Sequence, residues 1–150
     1  MSDRPAVRLR HDRRAITSVE FGIVAVAMLM CVFAIIEFGR ALWAREALET
    51  AAAQGARCIG VLAGSCASGG AFSQQNAQSY IEGLAANWGI TLTASNLTLT
   101  ANAASGACSG MSSHVAQVNI TYTFTTVVPN ILPMLSNKSL TAQACFPMQS

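Results

Sequence analysis

Apolar positions divide the chain into three regimes. From Phe21 to Ile36 sixteen consecutive residues carry no charge, bracketed by Glu20 and Glu37, so this run is apolar on every side of a helix rather than along one stripe. At ~1.5 Å per residue it measures ~24 Å. Crossing a bilayer takes roughly 20 apolar residues; the wider window from Ala15 to Phe38 supplies twenty-four positions, with the two glutamates then near the two membrane faces. Beyond it Ala41, Ala44, Leu48, Ala51, Ala52, Gly55 and Ile59 recur mostly at spacings of three and four, the signature of an amphipathic helix. The pattern therefore predicts one long helix from Ile16 to about Cys58, apolar all round in its first half and striped in its second. Small residues along that outer stripe allow another backbone to approach closely.

After the stripe, Gly60 to Gly70 (GVLAGSCASGG) reads as a loop from its glycine and serine content. Ala77, Tyr80, Ile81, Leu84, Ala85 and Trp88 then restore helical spacing, which predicts a second helix over Phe72 to Trp88, capped by Ser73 and ended by Gly89. The third regime alternates with period two. Leu97 and Leu99 form one short strand; Val118, Ile120, Tyr122 and Phe124 share a face opposite Asn119, Thr121, Thr123 and Thr125; Leu140, Ala142, Ala144 and Phe146 mark a third strand. Pro129 to Leu135 is an unusually apolar connection, kept out of a sheet interior by two prolines. The expected fold class is α+β: a long N-terminal transmembrane helix, a second helix and a small antiparallel sheet of about three or more strands. The expected divisions are a basic cytoplasmic leader at 1–15, a span at 16–38, an extramembrane helix at 39–59 and an outer domain at 60–150.

Charge orients this arrangement. Net charge is only +2, yet five of the nine Lys and Arg residues (Arg4, Arg8, Arg10, Arg13, Arg14) precede position 15. Arginines directly before an apolar run hold that end in the cytoplasm, a stronger reading than nucleic-acid binding, so no nucleic-acid partner is expected. A cleaved secretory signal is the weaker alternative, because helical spacing continues past Ile36 and Glu20 interrupts the head of the run. From Cys58 to Ser150 only Glu82 and Lys138 are charged, in ninety-three residues, whereas free soluble domains carry about a quarter. A domain so poor in charge suits packing against copies or partners, or solubility through its membrane tether.

Of the five cysteines, Cys31 lies inside the apolar run and acts as a small hydrophobe. Cys58, Cys66, Cys108 and Cys145 follow it, on the side expected to be oxidising, where an even number reads as disulfides. Three pairings are open; proximity in the chain favours Cys58 with Cys66 and Cys108 with Cys145. No Cys-x-x-Cys pair occurs, and His11 and His114 fall on opposite sides of the expected span, so neither a metal site nor a cofactor is expected. Catalysis would have to be assembled from His114, Glu82 and a serine, with no supporting motif. The chain is therefore not expected to be an enzyme. Asn96, Asn119 and Asn137 each open an Asn-x-Ser/Thr triplet, a frequent accident in strands rich in Asn and Thr.

Glu20 remains. A carboxylate at the hydrocarbon edge costs a few kcal/mol unless paired. It either reaches the headgroups beside Arg13 and Arg14 or pairs with a cation on an adjacent copy. Arg14-Ala15-Ile16-Thr17-Ser18-Val19-Glu20-Phe21, the apolar run, Glu37-Phe38-Gly39-Arg40 and Ala52-Ala53-Gln54-Gly55-Ala56-Arg57 together resemble the TadE-like pseudopilins of the bacterial Tad (Flp) type IV pilus machinery. The resemblance covers about residues 13 to 59. It implies that a prepilin peptidase cuts between Ala15 and Ile16, making Glu20 position five of the mature chain, with Glu20 and Phe21 serving assembly. Ala15 stands where that family usually has glycine; without a cut, Glu20 would turn to Arg13 or Arg14. The implied partners are the peptidase, other pilin or pseudopilin subunits, the inner-membrane assembly machinery and the lipid bilayer. The implied role is a minor pilin in the inner membrane or in an extracellular pilus, used in adhesion or secretion, with the outer domain periplasmic. The alternative is an uncleaved single-pass protein whose outer domain binds a surface ligand or a secretion partner.

Overall fold

A computed structural model describes residues 12–103, 108, 114–126 and 137–148, with side chains from residue 17 onward. The apolar connection at 129–135 and the leader up to residue 11 lie outside the described residues. The chain divides into two compact units, Met1–Phe38 and Gly39–Ser150.

A single helix, α1 (Asp12–Gly60, 49 residues), runs through both units, ~74 Å long at the standard rise. It includes residues 12–15, so the last part of the expected leader is helical. Arg13, Arg14 and Ala15 are all good helix formers, and no glycine or proline interrupts them. It also extends two residues past Cys58.

The stretch expected to be a plain loop carries structure. Turns at 61–66 lead into a small hairpin of β1 (Ala67–Ser68) and β2 (Ala71–Phe72). Its two central residues, Gly69 and Gly70, have φ of +60° and +81°, the all-positive geometry of the turn that matches strand twist. The second helix, α2 (Gln74–Asn87), starts where Ser73 Oγ accepts from the Asn76 N–H at 3.4 Å. It ends in a Schellman motif: Ile90 N donates to Ala85 O, Gly89 N to Ala86 O, and Gly89 takes φ +77°.

A 3-10 turn at Ala94–Asn96 leads into the sheet of β3 (Leu97–Ala103), β4 (Val115–Phe124) and β5 (Lys138–Pro147), antiparallel in the order β3-β4-β5. Leu97 faces Ile120, and Ile120 faces Ala142. One register thus gathers Leu97, Ala116, Val118, Ile120, Phe124 and Ala142 on a single face, while Val115 packs apart with Ala103 and Cys108. Asn96 fixes the start of β3: its Oδ1 accepts from the Thr93 N–H and Oγ–H, and its Nδ2 donates to Thr121 O on β4.

The core of the Gly39–Ser150 unit is the small-residue stripe of α1 set against α2 and the sheet. Ala44, Ala47, Leu48, Ala51, Ala52, Ala56 and Ile59 are buried with Ile81 of α2 and with Val118 and Ile120 of β4. Each fully buried aliphatic side chain contributes about 1.5–3 kcal/mol. At Gly55 the elements come closest: a Cβ there would stand 2.7 Å from Ile81 Cδ1 and 3.7 Å from Val118 Cγ2. At Gly60 a Cβ would stand 2.5 Å from Phe146 Cδ1. At the other end Arg40 lies 5.7 Å over the Phe124 ring, and Trp43 packs on Trp88. Both α2 and β4 therefore run antiparallel to α1, and the unit has two poles. One holds Arg40, Trp43, Trp88 and Phe124; the other holds the end of α1, the small hairpin and Phe146.

These contacts predict opposite responses at two helical glycines. Gly55→Leu should lower the thermal midpoint of the detergent-solubilised protein by several degrees, since overpacking costs about 1–3 kcal/mol. Gly83→Ala, on α2 with nothing within 4 Å of the added methyl, should raise it, because alanine is favoured over glycine in helices by about 1 kcal/mol. Thermal unfolding followed by circular dichroism measures both.

Candidate assembly segment

The apolar half of α1 presents its side chains outward all round. Val19, Phe21, Ile23, Val24, Met28, Ile35 and Phe38 are among its exposed hydrophobics, and the most apolar window of the helix is wholly unburied. In water such a surface would be strongly unfavourable, at ~25 cal/mol per Å²; in hydrocarbon it is the expected surface of a span. Together with its length, this makes α1 the anchor of a membrane-anchored protein.

Glu20 lies on this half with its side chain exposed. It is four residues after Ile16 and therefore one turn away on the same helix face. The backbone at Ala15 and Ile16 is helical; their side chains lie outside those described. Phe21 follows Glu20 and is 74% exposed. Glu37, at the far end of the apolar run, is buried at 4% exposure, a difference between the two glutamates that periodicity alone did not reveal. Cys31 is free and exposed on the apolar surface.

The other four cysteines form two disulfides, Cys58–Cys66 and Cys108–Cys145. The first closes the turns after α1. The second ties the residues before β4 to β5, next to Phe146, so both bridges sit at the pole away from Arg40 and Trp43. His114 and Glu82 are not brought together: His114 is exposed ahead of β4 with φ +71°, Glu82 is half-buried on α2, and no hydrogen bond or ion pair joins them. The described residues hold no group of three or more His, Cys, Asp or Glu side chains able to take a metal ion.

Residues 15–57 match the family model described as TadE-like protein. The match is a TadE-like domain hit over less than a third of the chain. The matched stretch begins at the alanine before Ile16, contains Glu20 and the whole apolar run, and continues along the stripe to Arg57, so it is almost coextensive with α1. This domain supports a protein associated with the Tad pilus and an interaction with other pilus components. No curated protein and no solved structure matches the chain.

Three measurements check this description. Thiol labelling of the unreduced, denatured protein should find Cys31 alone, and removal of the bridges should differ in cost. By loop-closure entropy the 37-residue separation of Cys108–Cys145 is worth about 4 kcal/mol and the 8-residue one of Cys58–Cys66 about 2.5 kcal/mol, so the double-serine variant of the longer loop should unfold at lower denaturant. His114→Gly should leave stability unchanged or raise it by up to ~1 kcal/mol, because a non-glycine residue with positive φ is strained.

Proposed function

We propose that this chain is a minor pilin-like subunit that supports assembly of a Tad pilus used in adhesion or secretion, and that its role is structural rather than catalytic. The observation that carries this reading is the outward-facing apolar half of α1 with exposed Glu20 at its head, inside the stretch that matches the TadE-like family. Before assembly, the apolar half holds the subunit in the inner membrane with the arginine-rich end cytoplasmic and the Gly39–Ser150 unit periplasmic. During assembly, the same surface exchanges lipid for the apolar helices of neighbouring subunits.

A prepilin peptidase cuts between Ala15 and Ile16. The cut leaves an α-amino cation at Ile16. Because Ile16 and Glu20 sit one turn apart on one face, a neighbour displaced along the filament by about a turn can present its amine to Glu20, with Phe21 packing beside the pair. In a low-dielectric setting the two charges cost far less together than apart. Glu20→Ala should therefore insert and be cut yet fail to enter filaments, measured by sheared-pilus yield beside membrane levels; normal pilus yield would refute the pairing role.

A second reading has its own support in the unbroken helix from Asp12 through the cutting position and in Ala15 standing where glycine is usual. In that case the leader is retained, Glu20 pairs with Arg13 or Arg14 of a neighbour, and the outer domain binds a surface ligand or secretion partner. N-terminal sequencing of the membrane-extracted protein separates the two. A start at Ile16 supports the pilin reading; an intact leader in peptidase-competent cells supports the other.

A further inference from the structure

We infer that the Arg40–Phe124 pole of the outer unit is a lipid-docking surface, with Trp43 and Trp88 lying in the headgroup layer of the membrane from which α1 emerges. The first observation concerns exposure. Beyond Phe38, the exposed large hydrophobics among the described residues are Leu42, Trp43 and Trp88. Elsewhere in this unit large apolar groups such as Leu48, Ile59, Ile81 and Ile120 are fully buried. Trp43 and Trp88 remain 57% and 38% exposed although their rings touch, with centroids 5.1 Å apart and planes tilted by 60°. The pair thus forms one apolar patch assembled from the start of the outer α1 and the end of α2.

The second observation is depth. Trp43 is five residues beyond Phe38, the last large apolar residue of the anchor, and at ~1.5 Å per residue stands about 7.5 Å above it. The headgroup layer is about 5–8 Å thick on each side of the hydrocarbon. Trp43 therefore falls within that layer, and ring contact brings Trp88 to a similar height. Tryptophan is the residue enriched at this boundary, where its ring meets apolar chains and its N–H meets water and headgroups.

Charge at the pole agrees. Arg40 lies over Phe124, Lys138 pairs in register with Phe124, and Arg45 bridges Glu49 at 2.8 Å. With Glu46 nearby the mixture has no strong sign, which suits zwitterionic headgroups, and long basic side chains can extend toward phosphate while their stems cover apolar surface.

The inference rests on α1 being a membrane anchor, and one sample tests both. Trp43 and Trp88 are the only tryptophans in the chain, so intrinsic fluorescence reports on this patch alone. The full chain, as Trp43→Phe and Trp88→Phe variants, is reconstituted into phosphatidylcholine vesicles with and without brominated acyl chains, and vesicle flotation reports anchoring separately. Trp43 quenching could follow from the anchor alone; Trp88 decides. In Trp43→Phe, docking gives blue-shifted emission, quenching by bromines near the headgroups and protection from aqueous iodide. If the protein floats but Trp88 is open to iodide and indifferent to bromine, docking is overturned while the anchor stands; if it fails to float, both fall. Protection from iodide that disappears on dilution of protein in lipid, without bromine quenching, assigns the patch to a second copy and also overturns docking.

Discussion

The structure depends on how closely α1 can approach its own outer unit. At Gly55 the space a methyl group would occupy is already filled by Ile81 and bordered by Val118, and at Gly60 by Phe146. Alanines fill most of the stripe between and before these points, so the helix lies low against α2 and the sheet along much of its outer half. Dispersion contacts are short-ranged, and a low-lying helix makes them along its whole contact line rather than at a few large side chains. That contact line also aligns α2 and β4 antiparallel to α1 and thereby separates the two poles.

The poles carry different chemistry. Away from the anchor, two disulfides close the turns after α1 and tie β5 to the residues preceding β4. This is the end where the unit cannot rely on the anchor helix to limit its unfolded states, and cross-links act chiefly by restricting those states. At the anchor end there is no covalent tie; aromatic and cationic side chains gather there instead. The scarcity of charge from Cys58 onward fits the same division. A unit carried on a membrane helix does not depend on surface charge to stay dispersed, and neutral Thr, Asn and Gln side chains on the open face of the sheet satisfy water without the desolvation cost that charges add when a partner packs on them.

The α1 helix also changes solvent along its length. Its first half exposes hydrophobic residues on all sides, while its second half buries a stripe and exposes Arg45, Glu46 and Glu49. One continuous hydrogen-bonded helix suits both settings because its backbone polar groups are satisfied internally whatever surrounds it. Arrangements that bury the apolar half in lipid or against neighbouring helices therefore leave its secondary structure untouched.

Much of this was legible in the amino-acid order. The all-round apolar run, the three-and-four stripe from Ala41 to Ile59, the capped second helix and the alternating strands each rest on a local period that a neighbouring residue can confirm, and the structure shows all of these elements. The TadE-like stretch was legible for the same reason, since it is a linear motif on one helix. Periodicity did not show that the glycine-rich stretch after α1 folds into a hairpin, because its order comes from a disulfide and two positive-φ glycines rather than from a repeat. Proximity in the chain favoured the two cysteine pairings that form, but the sequence did not distinguish Glu37 from Glu20 or bring Trp43 to Trp88 across forty-five positions. Those features depend on which surfaces meet, and only the packing of α1 on α2 and the sheet decided that.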